Sequence, residues 1–444
     1  MDKPATHNVS TAATGIASGD THRAAFWTAA AVIVHTLWTS AAPAMTYPIY
    51  AREWHLSAPT VAAIFAVYPL AVVLTLMFLG DLSDHIGRRG AMLLGLCASI
   101  LGVGAFAIAP DVTFLFAGRV LMGLGVGLSA GAAAAALVDF APAGHAHLAS
   151  VVNTVAQGTG LAAATLIGGA LIEFAPYPTR LNYLALMLYL VVVFIMTWRL
   201  PRASSHEQRA PWRPRLMSVP KESLDALRAA APAAATSFML GSVVLSAGAQ
   251  IAHDLVRSSH PLVNGSVIAL FALVWGAATL LFKRRGARTL VSVGGIATVV
   301  AMGLLVRAST AHSLAVFLLA IAAGGFAYSL LFLGGVSYLV GHTAQTKRAA
   351  ALSSLYFACY LVQVITAMGL GEAIAHIGIG HAIRALAIIV SLSAIASIIA
   401  LELRSGRFAK HAGTDEVTPA KTATATSKNA APIRRSPSGT ASSL

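Results

Sequence analysis

Long apolar stretches alternate with short polar links along almost the whole chain, and the apolar stretches are too long to be the helices of a soluble core. A bilayer core of ~30 Å needs about 20 apolar residues in a helix. Stretches of that kind fall at about 25–47, 58–80, 91–109, 112–138, 147–174, 181–200, 229–252, 261–282, 288–307, 312–340, 349–376 and 380–402. The pattern predicts an all-α integral membrane protein with twelve transmembrane helices. Several stretches exceed the minimum length, which implies tilt or extension beyond the lipid.

The links are short except for one. Residues 201–228, "PRASSHEQRAPWRPRLMSVPKESLDALR", are polar, basic and Pro-containing, and they divide the chain into six spans and six. The expected organisation is a disordered tail over 1–24, an amino-terminal six-helix bundle over 25–200, a basic central loop over 201–228, a carboxy-terminal bundle over 229–407 and a disordered tail over 408–444. The first tail has no apolar core of a signal peptide. The last is rich in Thr, Ala, Ser, Pro and Lys and cannot bury enough apolar surface to offset its ordering entropy.

Composition agrees with the pattern. Of 444 residues 57% are hydrophobic and 10% charged, against roughly 25% charged in a soluble domain. The 30 Lys and Arg outnumber the 16 acids, but they sit in links and tails, as orientation signals and headgroup contacts do, which argues against nucleic acid. With the amino terminus in the cytoplasm, only Arg52, Arg180, Arg257, Arg307 and Arg384 fall on the opposite side and Arg119 falls within a span. Both termini are therefore expected in the cytoplasm, in a membrane of the bacterial inner type. Cys97 and Cys359 both lie in apolar runs, so neither a disulfide nor a metal site is expected.

The halves echo each other. "IFAVYPLAVVLTLM" (64–77) resembles "LFALVWGAATLLFK" (270–283), and each is soon followed by "RRGA"; "LASVVNTVAQ" (148–157) can be laid on "LSSLYFACYL" (352–361). Each pair occupies the same span of its half. Parallel six-helix pseudo-repeats are a transporter architecture, with a substrate site near mid-membrane between them.

The most charged link, "GDLSDHIGRRGAMLLG", follows the second span. Its pattern, Gly80, Asp84, Gly87, Arg88, Arg89, resembles the signature loop of the major facilitator superfamily, and its position matches as well. The resemblance implies that fold and a solute transporter. In the family the acid meets the start of the eleventh span, here near Arg348. A carboxylate there can accept backbone N–H groups at a helix start, and Arg88 can reach Asp139 at the end of span four. Together Gly80, Asp84, Gly87, Arg88, Arg89 and Asp139 would latch the halves when they close on the cytoplasmic side. The corresponding link of the second half keeps its bases and loses the Gly-x-x-x-Asp part, so the latch is expected on one side only.

Arg119 lies inside the fourth span and heads a small-residue ridge, Gly123, Gly127 and Gly131. A mid-membrane Arg costs ~2.5–3.5 kcal/mol on insertion scales and needs a cavity or a partner. The stretch resembles the superfamily's fourth-span motif, whose Arg is implicated in proton coupling in several members. His35 lies mid-span and can titrate in the physiological range. Asn153 and Gln157 share one face of span five; Tyr356, Tyr360 and Gln363 share one of span eleven. These seven residues are the candidates for substrate or proton coupling. In span five, Gly160, Gly168 and Gly169 line up with the family's drug-antiporter motif as helix-packing positions, while its Gly-Pro pair falls on Ala164 and Thr165.

No Asp or Glu sits in the middle of any span, so a neutral or anionic substrate is expected. The chain has no Gly-Lys-Ser/Thr phosphate loop, no HExxH site and no buried carboxylate pair, which excludes the common enzyme classes and ATP-driven pumping. The reading is a secondary transporter, needing no cofactor or metal, that moves a small neutral or anionic organic solute by proton-coupled efflux. Its expected partners are that solute, the proton and membrane lipids, and it is expected to act as a monomer. Uptake by proton symport, or a non-transporting sensor, are the alternatives.

Overall fold

The computed structural model describes residues 8–80, 82–142, 146–200, 223–254, 261–344 and 347–414. Among these, all regular structure is helical. Six helices form the first half: α1 (Asn8–Glu53), α2 (Ala58–Leu79), α3 (Leu82–Ala107), α4 (Val112–Asp139), α5 (Ala146–Phe174) and α6 (Pro178–Trp198). The second half holds α7 (Leu224–Asp254), α8 (Pro261–Phe282), α9 (Ala287–Ala311), α10 (Leu314–Gly341) and α11 (Arg348–Thr414).

Side chains cap the starts of α2 and α4. The Ser57 hydroxyl accepts the Thr60 N–H at the head of α2, and an Asp111 carboxylate oxygen accepts the Thr113 N–H at 2.8 Å at the head of α4. These contacts satisfy donors that an unfinished first turn leaves open.

Among the described residues eleven helices are long and apolar enough to cross a membrane, yet the chain makes twelve crossings. Helix α11 has 67 residues, ~100 Å at 1.5 Å per residue, about three bilayer thicknesses. It is broken at Gly378, where φ is 74° and ψ 158°. That conformation suits glycine, which lacks a Cβ. The two limbs are the eleventh and twelfth spans. Gly87 has the same conformation, φ 81° and ψ 158°, early in α3. Gly80, by contrast, has ordinary helical angles, so the tight turn of the charged link is made at Gly87 and not at Gly80.

Three expected boundaries move. Helix α1 starts at Asn8, inside the expected amino-terminal tail; the span behind it is already a nucleus, and extending a helix costs far less than starting one. Residues 1–7 lie outside the described residues. Helix α7 starts at Leu224, inside the expected central loop, with Asp225 and Arg228 paired at 3.6 Å on its first turn; 201–222 lie outside the described residues. Helix α11 runs through 408–414, and 415–444 lie outside them. The chain divides into a compact unit, Met1–Arg404, which holds all twelve crossings, and a second unit, Ser405–Leu444, described only in its helical residues 405–414.

The internal repeat is visible in packing. In each half the third and fourth helices approach closely through small residues: α3 and α4 through Gly95, Gly102, Gly118 and Gly125, α9 and α10 through Gly294 and Gly334. In each half a basic residue also ties the third helix to the sixth span. Arg89 donates to the Thr197 carbonyl at 3.3 Å and to that of Trp198, at the end of α6. Arg288 pairs with Glu402 at 2.8 Å. A cation on the last carbonyls of a helix meets the negative end of its dipole.

Candidate functional site

A cavity of about 330 Å³ lies between the halves. It takes its amino-terminal wall from α1, α2 and α5 and its carboxy-terminal wall from α7, α8, α10 and the first limb of α11. The lining includes Asn153 and Gln157 on one side and Tyr356, Tyr360 and Gln363 on the other. Five of the seven candidate coupling residues are thus brought to one site from helices far apart in the chain.

The walls differ chemically. The amino-terminal wall offers Ser40, Thr154, Asn153 and Gln157 among aliphatic groups. The opposite wall is a lattice of rings. Tyr328 is its hub, 5.0 Å from Trp275, 5.5 Å from Phe271, 6.3 Å from Phe238 and 6.2 Å from Phe332 between ring centroids. Tyr360 meets Phe238 edge-on at 5.1 Å. These separations are those of favourable aromatic pairs. No Asp or Glu is among the lining residues, and Lys283 is the one Lys or Arg among them. Tyr328 and Phe332 were not picked out from the sequence, although they stand four apart on one helical face; Trp275 and Lys283 lie in the repeat stretch of span eight, where no periodicity separated a cavity face from a lipid face.

The cavity runs toward the membrane face that carries Lys283, Arg88 and Asp139. At the other end the halves are in contact. A Cβ at Gly371, in the first limb of α11, would stand 2.5 Å from the Ala62 Cβ and 3.1 Å from the Ala58 carbonyl of α2. Gly265 of α8 packs on the Thr165 carbonyl of α5. The Leu262 N–H, at the start of α8, donates to Glu173 Oε2 at 2.9 Å. Among the described residues the halves meet at the Glu173 end, and the cavity runs to the exposed Lys283 at the other.

Two candidates lie elsewhere. His35 is fully buried, but it faces α3 and α4 and not the cavity. Its Nδ1 is paired with the Val32 carbonyl, so Nδ1 carries the proton, and Nε2 lies 3.4 Å from the Ser99 hydroxyl and 3.5 Å from that of Ser129. Ser129 gives its own proton to the Gly125 carbonyl at 2.7 Å, which leaves Ser99 as the donor to Nε2. A neutral imidazole is therefore fully matched where it stands.

Arg119 is 0% exposed and is not among the lining residues. It neither reaches headgroups nor borders the cavity. Its guanidinium carbon lies 4.8 Å from the ring centre of Tyr68, 5.7 Å from that of Tyr47 and 5.8 Å from that of Phe65, and Nη1 donates to the Ser40 carbonyl at 3.0 Å. Cation–π contacts contribute ~0.5–2 kcal/mol each and offset part of the insertion cost of about 3 kcal/mol, while Nε and Nη2 have no hydrogen-bond partner among the described residues. Ser40 precedes Pro43, whose missing N–H loosens the helix; near it the Ala42 carbonyl takes a second outside donor, Asn182 Nδ2, at 3.2 Å. Tyr68 and Ser40 both touch Arg119 and both line the cavity, so they are the partition between them.

The charged link is built within one half. Arg88 Nε lies 3.5 Å from Asp139 Oδ2, with the side chains 36% and 53% exposed; a pair that exposed contributes ~0–1 kcal/mol. Since α3 and α4 belong to the same bundle, this pair does not itself join the halves. Arg89 caps α6 as described above. The Asp84 side chain lies outside the described ones. Of the packing glycines, Gly123 meets Tyr68 and Ala71, Gly127 meets Thr75, Gly160 meets Val34, and Gly168 meets Met45 and Asn182. Gly169 is buried. Gly131 has nothing within 4 Å of a Cβ position, because the ridge runs past the end of its contact with α2. Cys97 and Cys359 are free thiols.

Two six-helix halves around a central cavity are the architecture of a multi-pass membrane transporter. A family model described as Major Facilitator Superfamily matches residues 27–282. The chain belongs to the major facilitator superfamily. It is 28% identical over 306 residues to a class E tetracycline resistance protein of Escherichia coli, covering 66% of this chain and 73% of that one. It is 30% identical over 131 residues to the multidrug efflux pump LfrA of Mycolicibacterium smegmatis, and 29% identical over 89 residues to sugar transporter ERD6-like 6 of Arabidopsis thaliana. These two matches span 26% and 18% of the relatives' lengths. Among solved structures, a POT family transporter in complex with a thioalcohol-conjugated peptide superposes with a TM-score of 0.69 at 13% identity, over 84% of this chain and 95% of that one. A bacterial homologue of the human lysosomal transporter Spinster, inward-facing and unoccupied, gives 0.63 at 15%, over 90% and 99%. These likenesses show the fold.

Proposed function

We propose that this transporter exports a small neutral or anionic organic solute by alternating access, driven by the proton gradient. The observation that carries this is the cavity: amides face a wall of rings, and no carboxylate is among the lining residues. A cation entering such a site would lose its hydration without meeting an opposite charge. The bias of Lys and Arg supports placing the Lys283 end, and both termini, in the cytoplasm of a bacterial inner membrane. The open end then faces the cytoplasm, the state in which an exported solute is loaded. The names of the resistance and efflux relatives support that direction. The unit acts as a monomer, with lipid around it.

The amino-terminal link, Asp84 with Arg88, is the proposed latch of the opposite state, and Glu173 on Leu262 that of the state shown. His35 is not assigned the coupling proton, because its two ring nitrogens are already matched inside the first bundle. The test is solute flux in proteoliposomes under an imposed pH gradient. Efflux predicts accumulation against the solute gradient when protons move the opposite way; flux indifferent to the pH gradient excludes proton coupling.

A further inference from the structure

We propose that the transported solute is an organic acid carried as its monoanion, met by Lys283 at the mouth of the cavity and passed inward to the amides of Asn153 and Gln157. This deepens the reading of the cavity as the transport site and rests on it.

The first observation is an imbalance of hydrogen-bonding groups. Lys283, Asn153, Gln157, Tyr356 and Tyr360 line the cavity, and none of them makes a hydrogen bond or ion pair with a described residue. All five carry donors, one of them with a full positive charge, and no carboxylate among the lining residues answers them. The hydroxyls of Thr279 and Ser329, by contrast, are already spent on each other: Thr279 donates to the Trp275 carbonyl at 2.9 Å and accepts from Ser329 at 2.7 Å. What the cavity lacks is an anionic acceptor, and charge-assisted hydrogen bonds are roughly twice as strong as neutral ones.

The second is what sets Lys283 apart from its neighbours. Lys283, Arg284 and Arg285 are consecutive and exposed, and any of them would serve as an orientation signal, yet only Lys283 lines the cavity. Other bases at this end have acids: Arg88 lies by Asp139 and Arg288 by Glu402. An ammonium is a compact charge with three rotatable donors. One such charge matches one negative charge, so a second acid group on the solute would enter uncompensated.

The third is placement. Helices α5 and α8 run side by side in opposite directions: Glu173 meets Leu262, the Thr165 carbonyl meets Gly265, and a Cβ at Gly158 would stand 3.8 Å from the Ala272 carbonyl. Continued toward the Lys283 end, this pairing sets Gln157 and Asn153 beside the last three turns of α8, and Lys283 follows directly on its final residue, Phe282. Gln157 lies one turn, ~6 Å, deeper than Asn153. A solute entering from the Lys283 end therefore meets a charge first and two neutral amides next, along a seam between the halves. A membrane potential negative inside drives an anion outward, the same sense as the export proposed above.

The experiment is calorimetric binding at neutral pH to the full chain in nanodiscs of zwitterionic lipid, with empty nanodiscs correcting for partition. Three probes of one shape are used: 2-naphthoate, 2-naphthamide and the protonated 2-naphthylmethylamine. They share one ring system, so only the charged group differs. Naphthoate is expected to bind at least about tenfold more tightly than naphthamide, the step a charge-assisted contact supplies over a neutral one, and the ammonium probe is expected to bind least. Lys283→Gln should lower naphthoate to the affinity of naphthamide and leave naphthamide unchanged. Asn153→Leu should weaken naphthoate more than naphthamide. The wild-type series needs no variant, so a misfolded variant does not remove the test. Equal binding of naphthoate and naphthamide, tighter binding of the ammonium probe, no binding of naphthoate, or wild-type naphthoate affinity in a folded Lys283→Gln overturns the proposal. Naphthoate binding that discriminates as expected, without protein-dependent flux in proteoliposomes, overturns the transport reading and leaves the recognition standing.

Discussion

Glu173, at the end of α5, accepts the backbone N–H of Leu262, at the start of α8, at 2.9 Å, and so holds the two halves together with one carboxylate. The contact places a negative charge on the positive end of a helix dipole. A hydrogen bond to a charged group contributes about 1.5–3 kcal/mol. Glu173→Ala should therefore shift the balance toward the state open at this end by roughly 10- to 100-fold. Glu173→Gln keeps an acceptor and should shift it less. Distances between spin labels at the start of α2 and the end of the first limb of α11 report the two populations; an unchanged distribution in Glu173→Ala removes the carboxylate from the gate.

Gly371 has no room for a side chain against Ala58 and Ala62. Gly371→Val should prevent closure at this end and trap the opposite state. Transport should fall by at least about tenfold, the measure of a loss near 1.4 kcal/mol, while expression and helix content stay normal. Wild-type flux would show that this contact can part or shift at little cost.

Asp84→Asn should insert normally and transport poorly, because the amide is a weaker partner for helix-start N–H groups than the carboxylate. The check is flux together with the label distances across the Lys283 end. If flux and distances both match the wild type, Asp84 is no latch.

Arg119→Lys should lower thermal stability by several degrees and affect solute affinity by less than about threefold. Lysine keeps the charge but loses the planar group that lies among Tyr47, Phe65 and Tyr68 while donating to Ser40. Thermal unfolding and calorimetry on the same preparation separate the two effects. A large loss of affinity at unchanged stability would put Arg119 in direct contact with the solute.

His35→Gln should retain pH-driven accumulation. Glutamine can donate to the Val32 carbonyl, and the rest of the cluster, Ser99 and Ser129, stays inside the first bundle. Loss of the pH response with counterflow intact would return the coupling proton to His35.

The chain itself determined the membrane class, the twelve crossings, the charged link after the second span and the division into halves, because a bilayer demands a run of about 20 apolar residues and penalises charge within it. Gly87 belongs to that link, whereas the break at Gly378 came to light only in the backbone of the structure. Which face of a helix meets the cavity was legible only where polar side chains share one, Asn153 with Gln157 and Tyr356 with Tyr360 and Gln363; for the other helices the tertiary structure decided it. Inside a membrane both lipid-facing and protein-facing positions are apolar, so the periodicity that orients a soluble helix is missing. His35 and Arg119 therefore looked like cavity residues until packing turned one toward α3 and α4 and put the other behind Tyr68. The ring wall, Lys283 at the mouth and Glu173 on Leu262 arise from helices of both halves meeting in space, and no spacing along the chain records that meeting.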